Sequence, residues 1–408
     1  MSDRTNWQNA AESFDPRALP ADFFEDPYPT YRALQAFDPL HICPDGSLFL
    51  TRYRDLQQVY RDARVFSSDK TLEFGEKYGA SPLLEHHTTS LVFNDPPLHT
   101  RVRKILVGAL SARAITAMES DLVRLVDDLL SQMDEKSSYE LVADFASAIP
   151  VEVIGNLLDI PQEDRGRLRD WSLAILGALE PVLSEEQELN GNNAVVEFTD
   201  YLDQLIVHRR KCPGNPEKDV LTRLISGDKN TQPLSTFELV HNCIFILNAG
   251  HETTTNLIAN SLHALLSWPL QKQQLLSQPA LITTAVDEFL RFESSNQLGN
   301  RIAVEEFQLH EKKFAAGTRI TLCIGAANRD PAVFPDADDL CLDRAPNKHL
   351  AFAAGPHLCA GISLARLEGK IAISRFLQKY PNYHADGVTE RNKRIRFRGM
   401  RRLPVKLR

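Results

Sequence analysis

The sequence predicts a mainly helical protein with small antiparallel sheets at its edges. Three observations predict it. From about residue 95 onward, apolar residues recur at three- and four-residue spacing over long segments. Helix-start signals stand where several of those segments begin. The β-prone runs are each too brief to build a large parallel sheet.

Helices are expected over 97–131, 161–179, 192–211, 235–266, 279–292 and 363–380. The longest opens at Ser235, with Glu238 three residues on as in a capping box, and runs on to Ser267 with Pro269 close behind. Strands are expected at Leu48–Thr51, Arg301–Val304, Phe307–His310, Arg319–Cys323 and Arg394–Phe397. The irregular stretches are Asp69–Pro97, in which His86 and His87 read as loop residues, then Lys211–Lys218, Asp228–Ser235 and Asn328–Gly361. The last lies between a strand and a helix and is long for a loop with no task of its own. No internal repeat or flexible linker divides the chain, so residues 1–408 are expected to form a single domain.

Composition excludes several function classes. With 43% hydrophobic and 25% charged residues among 408, fibrous and low-complexity readings drop out. Lys plus Arg (46) against Asp plus Glu (54) leaves a net charge of −8, which gives no electrostatic case for gripping a nucleic-acid backbone. The polar start lacks an apolar leader core, and no run approaches the ~18 apolar residues of a membrane helix, so a cytoplasmic protein without an anchor is expected. The six cysteines (43, 212, 243, 323, 341 and 359) are scattered and never in a Cys-x-x-Cys pair, which argues against a disulfide framework or a structural zinc site. Most read as small buried hydrophobes.

Cys359 is the exception. Residues 352–361 read Phe-Ala-Ala-Gly-Pro-His-Leu-Cys-Ala-Gly, and a helical pattern follows at once. At a helix start, unpaired N–H groups and the positive end of the dipole favour a negative sulfur, which can serve as nucleophile or metal ligand. Gly355 and Gly361 permit close backbone approach. The segment resembles the haem-binding loop of the cytochrome P450 family, Phe-x-x-Gly-x-x-x-Cys-x-Gly, with Phe352, Gly355, Cys359 and Gly361 in place and Ala353 where bacterial members usually carry glycine. The resemblance implies that Cys359 is the proximal thiolate ligand of haem iron, and an electron-rich thiolate favours cleavage of a bound O–O bond.

Within the long helix lies Ala249-Gly250-His251-Glu252-Thr253-Thr254. Glycine followed by consecutive threonines is a poor choice for mid-helix, so propensity is overridden there. The Thr253 hydroxyl can compete for the Ala249 carbonyl, and Ala249 and Gly250 open space on one face. This run resembles the family's oxygen-activation motif, which implies an acid role for Glu252 and an alcohol role for Thr253. Read alone, it is equally a helix with a packing glycine and a solvated glutamate.

The resemblance extends to charges elsewhere. Glu288 and Arg291 match the family's Glu-x-x-Arg pair, which implies a buried structural pair whose third partner is either Asp339 or Arg344. His99 and Arg103 share one helix face and, with Arg301 and His357, match the family's haem-propionate contacts. The implied fold is a helix-rich body with a smaller β-rich N-terminal region. The implied activity is a haem-thiolate monooxygenase, working as a monomer on a small, mostly apolar organic molecule. A dinucleotide fingerprint, a flavin domain and a ferredoxin-type cysteine cluster are all missing from the sequence. Electrons are therefore expected from a separate ferredoxin and its NAD(P)H-dependent reductase, with Arg101, Lys104 and Arg113 as a basic docking patch. The polar run Glu293–Asn300 suggests either a polar group on the substrate or amides that hydrogen-bond their own loop. A peroxide-driven enzyme, a haem-binding sensor without turnover and a haem-free cysteine nucleophile are the alternatives.

Overall fold

A computed structural model describes residues 2–110, 112–133, 138–216, 219–227 and 232–408, giving only the backbone path of 2–5, 109, 112 and 113. The chain forms two compact units. One comprises Met1–Ser68, Asn256–Cys359 and Tyr380–Arg408, the other Asp69–Thr255 and Ala360–Lys379.

The first unit carries a five-stranded sheet in the order Leu40–Ile42, Leu48–Leu50, Arg319–Cys323, Leu298–Ala303, Phe66–Ser67. Its pairings are antiparallel except one: Leu48–Leu50 runs parallel to Arg319–Cys323, with Leu48 opposite Ile320 and Leu50 opposite Leu322. All three residues of Leu48–Leu50 are buried, which is the uninterrupted apolar run that a strand covered on both faces requires. Helices precede and follow these strands. Tyr53–Arg61 buries Tyr53, Leu56, Val59 and Tyr60, a helical spacing that was visible in the sequence. Arg394–Phe397 is no strand; only the isolated bridge Asn296–Phe397 forms there. Its backbone instead follows the 295–297 loop, through Gln297 N–H to Arg396 O and Arg398 N–H to Ser295 O.

The second unit is helical. The segment 97–131 breaks into Leu98–Ala109 and Ala112–Gln132. Glu185–Lys211 starts earlier than the apolar spacing suggested, because Ser184 and Gln187 cap it reciprocally. The stretch 69–97 contains helices Thr71–Tyr78 and Pro82–Thr89. Ser81 caps the second and Pro82 opens it, so His86 and His87 are buried helical residues, not loop residues. The long helix Thr236–Ser267 carries the reciprocal cap expected at Ser235 and Glu238 and passes from this unit into the other. Asn328–Gly361 stays irregular apart from the short turn Gly355–His357. Among the described residues no helix is long and apolar enough to cross a membrane.

Candidate active site

Cys359 lies just ahead of helix Ile362–Lys379 and is half-buried. Its N–H donates to the Phe352 carbonyl at 3.0 Å, and the Leu358 N–H to that of Gly355 at 3.0 Å, folding the loop back on itself. Gly355 adopts φ +69°, and a Cβ there would stand 2.2 Å from the Tyr60 carbonyl oxygen. Only glycine fits that approach. Ala353 adopts φ +57°, a left-handed conformation that costs an alanine about 1–2 kcal/mol and that the family's usual glycine would hold without strain. The His357 ring Nε2 lies 3.0 Å from the Ser68 hydroxyl. Arg301 is buried; it donates to the Asn300 carbonyl at 2.7 Å and stands over the Tyr60 ring at 5.2 Å. Tyr60 thus supports both the cysteine loop and Arg301. Nothing in the sequence pointed to it, because its neighbours are some 240 to 300 positions away along the chain.

Of the remaining cysteines, Cys43, Cys243 and Cys323 are buried as expected of packing residues, Cys341 is half-buried and Cys212 is exposed. Burial pushes the thiols of Cys43, Cys243 and Cys323 up to about 11, 12 and 12.

In the second unit the long helix is unbroken through the threonine run. The Thr253 hydroxyl donates to the Ala249 carbonyl at 2.6 Å, as the sequence suggested. Gly250 is a contact glycine: a Cβ there would meet Ile154 Cδ1 at 2.5 Å. Around this turn the helix has two different faces. Phe245, Ile246, Ala249, Gly250 and Thr253 keep accessible surface, whereas Asn248, His251, Glu252 and Thr255 are buried. Glu252 is 3% exposed, so the reading of it as a solvated glutamate fails. His99 is buried and Arg103 half-buried on Leu98–Ala109.

Phe352, Gly355, His357, Cys359 and Arg301 therefore belong to one unit, and His99, Arg103, Ala249, Gly250, Glu252 and Thr253 to the other. The chemistry within each unit suits a haem: a soft sulfur with a guanidinium and an imidazole for carboxylates in the first, and an imidazole, a guanidinium and a partly accessible apolar stripe on the long helix in the second.

Glu288 and Arg291, both fully buried, form a bidentate pair with two contacts of 2.8 Å. Glu288 also accepts from Arg344 Nε at 3.0 Å, Asn347 at 3.0 Å and the Cys341 N–H at 2.8 Å. Arg291 donates to the carbonyls of Asn328, Ala337 and Asp339. The open question of the third partner thus resolves in favour of both candidates, Arg344 through its side chain and Asp339 through its backbone. The network pins helix Ile282–Phe292 to the irregular stretch ahead of Cys359.

Two expectations change. Arg101 is not a free docking charge, since it pairs with Glu238 and donates to the Pro233 carbonyl. The Arg113 side chain lies outside the described residues. In the polar run 293–300, most groups serve the fold. Against the burial that would raise it, Arg398 and Arg391 hold the Glu293 carboxyl down at about 2. Ser294 donates to Leu290 O, Gln297 to Ser294 O, and Asn300 to Thr321.

Comparison with known proteins agrees. The family model described as Cytochrome P450 matches residues 176–402. The biotin biosynthesis cytochrome P450 of Bacillus subtilis (strain 168) is 33% identical over 392 residues, covering 94% of this chain and 97% of that protein. The vitamin D(3) 25-hydroxylase of Pseudonocardia autotrophica is 34% identical over 393 residues, covering 94% of each. The crystal structure of P450BioI in complex with acyl carrier protein ligated to hexadec-9Z-enoic acid superposes with a TM-score of 0.90 at 33% identity, covering 95% of this chain and 100% of that one. The chain belongs to the cytochrome P450 family and is a monooxygenase whose cofactor is haem.

Proposed function

We propose that Cys359 holds the haem iron, that His99, Arg103, Arg301 and His357 receive the propionates, and that Glu252 and Thr253 move protons to the reacting oxygen. Haem with a thiolate ligand supplies the dioxygen-splitting chemistry when bound. The chain's own residues do the rest. Phe352 and Gly355 fix the loop so that the Cys359 sulfur stays accessible beside a helix N-terminus, which favours its negative form. Ala249 leaves room on the accessible helix face, and Gly250 lets the Ile154 side chain pack close against it. The observation that carries the reading is on that face: Thr253 holds its hydroxyl against the Ala249 carbonyl at 2.6 Å, one residue from the buried Glu252. An alcohol so placed can pass a proton inward while its neighbouring carboxyl reloads it, with bulk water kept away.

One atom of dioxygen enters the substrate and the other leaves as water, which takes two protons and two electrons. We infer that the electrons come from a ferredoxin and its NAD(P)H-dependent reductase. The substrate we infer to be a small, mostly apolar organic molecule, since Phe245, Ile246 and Ala249 present apolar surface. The names of the relatives point the same way: one is a vitamin D(3) hydroxylase, and P450BioI is bound to a fatty acyl chain on its carrier protein. A single-domain, monomeric, cytoplasmic enzyme completes the reading. The test is the reduced protein with carbon monoxide. The long-wavelength Soret band of a thiolate complex is expected for the native chain and absent from Cys359→Ala; its retention in that variant refutes the ligand. Turnover driven better by peroxide alone than by ferredoxin and reductase would refute the electron source.

A further inference from the structure

Resting on Glu252 as the acid of that reading, we propose that His251 is a proton-relay residue. With Asn248 it holds a hydrated seam along the buried face of the long helix that feeds Glu252. A repeat of 3.6 residues places Asn248, His251, Glu252 and Thr255 on one helix face, away from Ala249 and Thr253. Buried helix faces are ordinarily apolar. This one is polar, and although the Thr255 hydroxyl donates to the His251 carbonyl at 2.9 Å, the side-chain groups of His251 and Asn248 do not satisfy one another. His251 is 1% exposed, and among the described residues neither ring nitrogen has a hydrogen-bond partner. Asn248 Oδ1 is likewise buried and unpartnered. Arg169, on helix Gly166–Gly177, stands near enough to act on the imidazole. Three such atoms on one helix face, the two ring nitrogens of His251 and Asn248 Oδ1, call for ordered water, because buried polar groups are hydrogen-bonded in nearly all proteins and a buried water needs two to four polar partners.

Imidazole suits a relay because its neutral form accepts at one nitrogen and donates at the other. A proton arriving from water at one nitrogen releases the proton on the other, through water, to the Glu252 carboxylate. The ring ends as the opposite tautomer, which exchanges back through the same waters; no other bond changes. Burial, with the Arg169 charge, pushes the imidazole down to about 4, so the ring does not retain the proton it carries.

The test uses the haem-loaded enzyme with a [2Fe–2S] ferredoxin, its reductase and NADPH, and no added substrate. Dioxygen consumption and its solvent deuterium isotope effect are measured for His251→Phe, His251→Gln, Glu252→Gln and the His251→Phe/Glu252→Gln double variant. A high-resolution crystal structure of the native enzyme is read for water. Expected are ordered waters at both ring nitrogens, a loss of fivefold or more in both His251 variants with an altered isotope effect, and a double variant no slower than Glu252→Gln. A merely structural histidine would give additive losses. Dry ring nitrogens, or wild-type rate and isotope effect in both His251 variants while Glu252→Gln is impaired, would overturn the relay alone. An unimpaired Glu252→Gln would overturn the acid reading and the relay with it. Should His251→Phe not fold, His251→Gln decides, since glutamine binds water but has no tautomer to exchange.

Discussion

Replacing Glu368 by glutamine is expected to stabilise the protein, and the gain should grow as pH rises. Glu368 sits on the helix that follows Cys359, is 3% exposed, and meets only the Thr254 hydroxyl, 3.5 Å from Oε2, while Oε1 has no partner among the described residues. Burial therefore pushes its carboxyl from 4.5 up to about 8. The folded state holds the proton over a range where the unfolded chain has lost it, so unfolding releases a proton and stability falls with pH between 4.5 and 8. At ~1.36 kcal/mol per pKa unit the penalty is about 1 kcal/mol at pH 5 and about 3 at pH 7. Glutamine carries no such penalty, so its advantage over the native residue should increase by about 2 kcal/mol between those two pH values. At about 2.1 cal/mol/K per residue of unfolding entropy, this is roughly 2 °C of melting temperature for the whole chain. The assay is the thermal midpoint of both proteins at pH 5, 6 and 7. A constant offset would reflect only the altered hydrogen bond; a difference independent of pH refutes the neutral buried acid.

Histidines act in the opposite direction. Burial pushes His241, His251 and His263 down to about 4, with nearby arginines adding to the effect on the last two, so their contribution is present above 6.5 and lost as pH falls toward 4; mutation of any one to phenylalanine should flatten acid unfolding over that window. Glu288→Ala strands the buried Arg291 and should cost about 3–5 kcal/mol, read as a lower unfolding midpoint together with poor haem retention. Gly355→Ala forces a Cβ onto the Tyr60 carbonyl, and holoprotein yield should collapse while Gly79→Ala, open around its Cβ, loses only the roughly 1–3 kcal/mol of a backbone conformation that favours glycine. Thr253→Ala should keep the thiolate spectrum but divert reducing equivalents to peroxide; full coupling of NAD(P)H use to product would refute its proton role.

Whatever depends on neighbours along the chain was legible in the residues alone. The cysteine loop, the reciprocal cap at Ser235, the Thr253-to-Ala249 bond and the Glu288–Arg291 pair each join residues within about one or two turns, and their geometry follows from local backbone rules. The short early helices were within reach too, through Pro82 behind Ser81 and the apolar spacing of Tyr53–Arg61. Tertiary structure alone decided what depends on residues far apart. It set the parallel pairing of Leu48–Leu50 with Arg319–Cys323 and brought Tyr60 beneath both Gly355 and Arg301. It also recruited Arg344 and Asn347 to Glu288, and it buried Glu252 and His251, leaving the imidazole without a hydrogen-bond partner among the described residues. Burial is a property of everything packed around a side chain. For that reason the desolvation that gives Glu368 and His251 their chemistry has no signature in the residues beside them.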